Sequence, residues 1–133
     1  LWTLLGQVLS EQHGAAPTHS LSEIELLAQR FPQNITLFEA LDEGQTIHAG
    51  AVVFDCGATV HAQYLAASQE GRNSGALNAV ILDMVQNRYS DRRWFDFGIS
   101  TEAAGRVLNE GLLRQKEMFG GSALTYEHFV IEL

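Results

Sequence analysis

Between Ile35 and Ala67 the chain writes three β-type runs, Ile35–Leu41, Thr46–Phe54 and Thr59–Ala67, parted by Glu43-Gly44 and Cys56-Gly57. Apolar and β-branched residues in period-two order, broken by glycine-bearing turns, are the pattern of an antiparallel meander. Two-residue turns at the breaks would set Leu41 opposite Thr46 and Phe54 opposite Thr59. One face then carries Phe38, Ala40, Ile47, Ala49, Ala51, Val53, Val60, Ala62 and Tyr64 and reads as core. The other carries Leu37, Glu39, His48, Gly50, Val52, Phe54, His61, Gln63 and Leu65. There Glu39 opposes His48 and Gln63 opposes Gly50, a polar cluster that suggests a wet cleft, although an ordinary solvent-facing side accounts for it equally well. His61 opposes Val52 in this register, roughly 13 Å along the sheet from His48, too far for both to hold one ion.

Helical patterns flank the meander. Leu4, Leu5, Val8 and Leu9 share one face of a helix over 2–12, with Gly14 at its C-cap. Ser20-Leu21-Ser22-Glu23 is a capping box that opens a second helix ending near Phe31-Pro32. After the meander, Leu77, Val80, Ile81, Met84 and Val85 recur at helical spacing and predict a helix from Asn73 to Tyr89. A short strand at Trp94–Phe97 precedes a helix from about Thr101 to Met118, with Ala104, Val107, Leu108, Gly111 and Leu112 on one face. Gly120-Gly121 stops it, and Leu124–Leu133 reads as a closing strand. The order ααβββαβαβ predicts an α/β or α+β domain with a mixed sheet.

Bulk properties narrow the function classes. At 133 residues and 46% hydrophobic the chain reads as a single globular domain spanning 1–133. Eight basic residues against sixteen acidic give a net charge of −8, a field that does not favour nucleic acid. No apolar run approaches the ~20 residues of a membrane span. The lone Cys56 excludes an internal disulfide and no Cys/His spacing suggests zinc, which fits a cytoplasmic setting. The expected metal complement is none.

The segment Gln69-Glu70-Gly71-Arg72-Asn73-Ser74-Gly75-Ala76 lies between the third strand and the helix after it. A glycine-bearing turn that opens a helix offers unpaired N–H groups at the positive end of a dipole, a physical anion site suited to pyrophosphate. Gly71 and Gly75 would let the backbone approach a ligand closely, and Arg72 would add charge. An ordinary strand-to-helix loop has the same composition.

These elements together resemble the GCN5-related N-acetyltransferase fold, whose Arg/Gln-x-x-Gly-x-Gly/Ala loop wraps the pyrophosphate of coenzyme A. Arg72-Asn73-Ser74-Gly75 fits that pattern, while its last position is Leu77 with Ala76 one residue early. Pro17-Thr18-His19-Ser20, Tyr64-Leu65-Ala66-Ala67-Ser68, Asp96-Phe97-Gly98-Ile99-Ser100 and Gly111 to Gly121 look like the FemAB/CelD branch. Members of that branch usually carry two such folds in tandem, and this chain is similar to the C-terminal one without its usual first strand. A further N-terminal domain is therefore expected.

The resemblance implies transfer of an acyl group from acetyl-CoA to a small amine such as an amino sugar. Cofactor-binding residues would be Leu65, Ala66 and Ala67, whose strand end grips the pantetheine arm, and Gly71, Arg72, Asn73, Ser74, Gly75 and Ala76. Catalytic candidates are His61, His19 and Lys116; histidine leads because it exchanges protons near neutral pH. Lys116 matches a lysine that stabilises charge at the acyl centre in the related aminoacyl transferases, and is equally accounted for as a solvated helix-end lysine. Glu39, Gln63 and Asp96 are candidate substrate contacts, and Asp96 is equally accounted for as a cap of the turn at Gly98. Two alternatives stand: an aminoacyl-tRNA-dependent transferase that builds peptide bridges, and a non-catalytic scaffold half. A homodimer is compatible with all three.

Overall fold

The computed structural model describes residues 1–13, 16–127 and 129–131, the backbone alone at 12 and 13. The expected cap at Gly14 lies outside the described residues. By internal contacts the chain divides into two compact units, Leu1–Gly98 and Ile99–Leu133.

The first unit opens with helices α1 (Trp2–His13) and α2 (Leu21–Arg30). The capping box forms: the Ser20 side chain accepts from the Glu23 N–H, and the Glu23 carboxylate accepts from the Ser20 N–H at 2.7 Å. That contact draws the Glu23 carboxyl below its usual pKa. Strands β1 (Ile35–Leu41), β2 (Ile47–Asp55) and β3 (Thr59–Ala67) follow as an antiparallel meander. A short strand, β4 (Trp94–Asp96), then pairs parallel to β3, in the order β1-β2-β3-β4.

The turns are longer than two residues, and this moves the register. Between β1 and β2 the loop runs from Asp42 to Thr46, closed by Thr46 N–H donating to Asp42 Oδ1 at 2.8 Å, with Gln45 at φ 65°. Glu39 consequently faces Gly50 rather than His48. A bulge leaves His48 outside the pairing, since Ala40 pairs with Ala49 and Leu41 with Ile47. Likewise His61 faces Phe54 rather than Val52, and Gly50 faces Ala66 rather than Gln63.

A second bulge has larger consequences. Val53 pairs with Ala62 and Val52 with Tyr64, so Gln63 is the extra residue on β3. An extra residue in a period-two strand changes the parity of every position after it. Tyr64 therefore joins the face of Val52, and Leu65 the face of Ala51, the reverse of the expected assignment.

Both faces of the sheet are covered. On one, Ala49, Ala51, Val53, Val60 and Ala62 are buried against the helical segment after β3, whose Val80, Ile81, Met84 and Tyr89 are buried in turn. Small residues in the middle of the sheet let that helix come close, and the Phe38 and Tyr89 rings meet edge to face at 6.0 Å. On the other, Val52, Tyr64 and Ala66 form one cluster with Leu5 and Ile24 of α1 and α2, flanked by Trp2, Leu9, Ile35 and Phe54. The expected wet cleft is thus an apolar layer roofed by two helices. Its polar members disperse: Glu39 accepts from the Leu1 amine at 3.0 Å, and His48 turns in its bulge toward Asp42.

The helix expected over Asn73–Tyr89 begins earlier and is broken. Ser68 caps a short helix α3 (Gln69–Ser74), Gly75 adopts the left-handed conformation at φ 74°, and α4 (Ala76–Asp83) continues into a π-helical turn, Met84–Arg88. The apolar period is visible in the sequence; the cap is not, because Ser68 directly follows a strand-like run.

The second unit departs further from expectation. A two-stranded ribbon of β5 (Thr101–Glu102) and β6 (Val107–Leu108) replaces the first half of the expected 101–118 helix. Ala103, Ala104 and Gly105 all take positive φ, which forms a tight turn and cannot be helix. The helix proper, α5 (Glu110–Glu117), starts at Asn109, whose side chain accepts from the Leu112 N–H at 2.9 Å. The expected closing strand does not form among the described residues of 124–131; Glu132 and Leu133 lie outside them.

Candidate functional site

The feature that singles out one region is the way β3 and β4 part. Their parallel register runs Thr59↔Trp94, Val60↔Phe95 and His61↔Asp96, and there it ends, while β3 continues to Ala67. Among the described residues no strand pairs with the β4 side of Ala62 to Ala67. Backbone groups along such an edge are positioned to bond an extended ligand. The Gln63 bulge lies just past the point of divergence.

At that point His61 Nδ1 lies 2.8 Å from Asp96 Oδ2, with the side chains 32% and 50% exposed. The other carboxylate oxygen, Asp96 Oδ1, accepts from the Gly98 N–H at 2.7 Å. The His61–Asp96 contact is not local in sequence: it exists because strands 35 residues apart lie side by side.

His19 sits elsewhere against the same strand. Its N–H donates to the Tyr64 hydroxyl at 3.1 Å and its Nδ1 lies 2.6 Å from the same oxygen. Tyr64 is buried under α1, edge to face with Trp2 at 5.0 Å. Because of the bulge, His61 and Tyr64 occupy one face despite their odd spacing. Gln63 is half-exposed in the bulge, Leu65 half-buried, and Ala66 and Ala67 are buried.

The Gly71–Ala76 segment is not an open turn. Gly71 N–H donates to Ser68 Oγ at 2.9 Å, Arg72 N–H to the Ser68 carbonyl at 2.9 Å, and Gly75 N–H to the Arg72 carbonyl at 3.3 Å. The Arg72 guanidinium turns back onto the Ala67 carbonyl at 2.8 Å and Gln69 Oε1 at 3.0 Å. Asn73 Oδ1 accepts from the Gln69 side chain at 3.0 Å and Ser74 Oγ donates to the Gly71 carbonyl. The amides not used in this way begin beyond Gly75, where α4 opens with no side-chain cap.

A depression of about 340 Å³ next to Ser74 and Ala76 is lined by Ala40, Leu41, Asp42, His48 and Glu70. His48 lies 3.0 Å from Asp42 Oδ2 and 3.7 Å from Glu70 Oε2. The Thr46 N–H and then His48 hold the Asp42 carboxyl below its usual pKa. Two carboxylates make this a poor phosphate site. Among the described residues no cluster of His, Cys, Asp and Glu suits a metal ion, and no helix is long and apolar enough to cross a membrane.

Lys116 belongs to the second unit, where its Nζ donates to the Ile99 carbonyl at 2.6 Å. Of the residues singled out by sequence, the structure brings His61 and Asp96 together. The turn cap that Asp96 could supply at Gly98 forms, whereas Tyr64 was missed as the partner of His19. Only the tract Tyr64-Leu65-Ala66-Ala67-Ser68 pointed to it.

No protein-family model and no curated protein sequence matches the chain. Solved structures do. A point mutant of the BH1408 protein from Bacillus halodurans superposes with a TM-score of 0.69 at 14% identity, over 99% of this chain and 91% of that one. A tetramutant of the same protein gives 0.66 at 14% identity, over 98% and 88%. A Trypanosoma brucei acetyltransferase gives 0.64 at 17% identity, over 98% and 89%. At these identities the likeness is one of fold: a mainly antiparallel mixed sheet with flanking helices.

Proposed function

We propose that this chain is an acyl-CoA-dependent N-acyltransferase acting on a small amine, of the FemAB/CelD-like branch and one half of a longer tandem protein. One observation carries the reading: β3 runs on past its last rung with β4, opening an unpaired edge, in a fold shared with an acetyltransferase. The motifs at Tyr64–Ser68 and Asp96–Ser100 support the branch.

The residues fit an acyl-CoA substrate in part. The edge from Ala62 to Ala66 suits the two amides of an extended pantetheine arm, the Ala67 carbonyl being taken by the Arg72 guanidinium. The expected pyrophosphate grip fits less well: the Gly71, Arg72 and Gly75 amides are bonded within the segment, and Ala76, at the uncapped start of α4, borders the depression that holds Asp42 and Glu70. In the reaction the amine nitrogen bonds to the acyl carbon, the carbon–sulfur bond breaks with its electron pair on sulfur, and the amine gives up a proton. His61 stands at the mouth of the opened edge to take that proton. His19, engaged with the buried Tyr64, would hold the α1–α2 connection onto the sheet.

The committed amides favour a second reading, a scaffold half that binds no nucleotide. One measurement separates the two. Acetyl-CoA at 100 times its Kd should stabilise the protein by about 2.7 kcal/mol, roughly a 10 °C rise in Tm for a chain of this size. No shift at millimolar acetyl-CoA would remove the transferase reading and leave the scaffold.

A further inference from the structure

We propose that Asp96 is a positioning residue that fixes the His61 ring with its proton on Nδ1, so that Nε2 is the accepting nitrogen. The inference rests on the acyl-transfer reading of the same strand edge and goes beyond it, since that reading alone leaves the ring's orientation open.

The device is built from three consecutive constraints. The pair forms the last rung of the β3–β4 register, so both side chains leave neighbouring backbones at one level. Asp96 Oδ1 accepts from the Gly98 N–H at 2.7 Å, which fixes the carboxylate plane and aims Oδ2 at His61 Nδ1, 2.8 Å away. Gly98 itself is left-handed at φ 72°, and a Cβ there would sit 3.6 Å from His61 Cε1, so Gly98 lies beside one edge of the ring. A carboxylate accepts only. A neutral imidazole facing Asp96 must therefore donate from Nδ1 and keep its lone pair on Nε2.

This assignment differs from a direct contact between Asp96 and the acceptor amine, and the two have different signatures. If Asp96 acts through His61, Asp96→Asn should lower kcat about 10- to 100-fold, a share of the ~10² to 10⁴ that a general base supplies. KM for the amine should stay within about twofold, and in a His61→Gln background the same change should cost nothing more. Asp96→Glu should recover part of the rate. A raised amine KM with unchanged kcat would overturn the proposal.

Two-bond ¹H–¹⁵N correlation spectra of the full chain, recorded at alkaline pH, read the tautomer without any turnover. Wild-type His61 should carry its proton on Nδ1, and Asp96→Asn should lose that preference while keeping a folded spectrum. An Nε2-protonated His61 in the wild type would refute the positioning role whatever the activity. An Nδ1-protonated ring in a protein that transfers nothing from acetyl-CoA to glucosamine or another amine would uphold the positioning and sink the acyl-transfer reading instead.

Discussion

Three glycines, all in or beside helices, should respond to alanine in different ways, and the contrast tests how α3 is seated. Gly6 lies in α1, and a Cβ added there would have nothing within 4 Å. Alanine at this position gains helix propensity and should stabilise by up to about 1 kcal/mol. Gly75 also has open space, but its φ of 74° is left-handed, so alanine should cost about 1–2 kcal/mol of backbone strain. Gly71 lies within α3 and has no room at all: a Cβ would fall on the carbonyl oxygen of His48, with the His48 carbonyl carbon at 2.8 Å. The methyl must push α3 away from β2. That displacement disturbs the bond from Ser68 N–H to the His48 carbonyl at 2.9 Å, worth about 1 kcal/mol, on top of about 1–3 kcal/mol of overpacking. Less the propensity gain, Gly71→Ala should destabilise by about 1–3 kcal/mol. At about 4 °C per kcal/mol, thermal unfolding should place Gly6→Ala above the wild type and both others below it. A Gly71→Ala protein as stable as Gly6→Ala would refute the close seating of α3 on β2.

Two further outcomes follow from the ion pair and hydroxyl networks. Arg92, at 2.9 Å, together with the Gly57 N–H, holds the Asp55 carboxyl below its usual pKa, and the Asp55 side chain is 12% exposed. A depressed carboxylate stabilises the fold above the unfolded value of about 3.9 and loses that contribution as pH falls toward the folded value. Urea titrations at pH 6 and pH 3 should therefore show a larger acid loss in the wild type than in Asp55→Asn; equal losses would exclude this pair as an acid-sensitive element. Tyr64→Phe removes the acceptor of the His19 N–H and should cost about 1–3 kcal/mol, with little change in kcat if His19 only anchors; a collapse of kcat at unchanged stability would return His19 to the chemistry.

Much of the scaffold is legible in the sequence because it is local. Period-two order marks β1 and β3 to the residue, and Ser20 with Glu23 announces α2 through a contact spanning three positions. What fails depends on side chains acting on turns. Asp42 and Gln45 lengthen the first hairpin, so the register moves although β1 is where the pattern puts it and β2 starts and ends only one residue later. In the second unit, Val107, Leu108 and Leu112 suit a helix face as well as a ribbon followed by a helix, and nothing but Asn109 marks the switch. The site shows the same division. His61 and Asp96 can each be named for their chemistry, but their partnership rests on a parallel register that no local pattern encodes.

Gln63 is surplus to the pairing of β3. Val52 and Val53 are adjacent, yet the residues opposite them, Tyr64 and Ala62, stand two positions apart. Losing a residue from inside a strand ordinarily inverts everything on one side of the gap. At Gln63 the opposite holds: its removal would join Ala62 to Tyr64, and plain alternation would then point each side chain where it already points. The Tyr64 hydroxyl would still meet His19, and His61 would still meet Asp96. What would vanish is the extra bend and twist that a bulge confers, at the very place where β3 turns away from β4. The layers of this protein and the opening of its edge are therefore separable properties. A variant shorter by that single residue would keep the first and straighten the second, whereas the same loss at Leu65, beyond the bulge, would strike at the layers themselves.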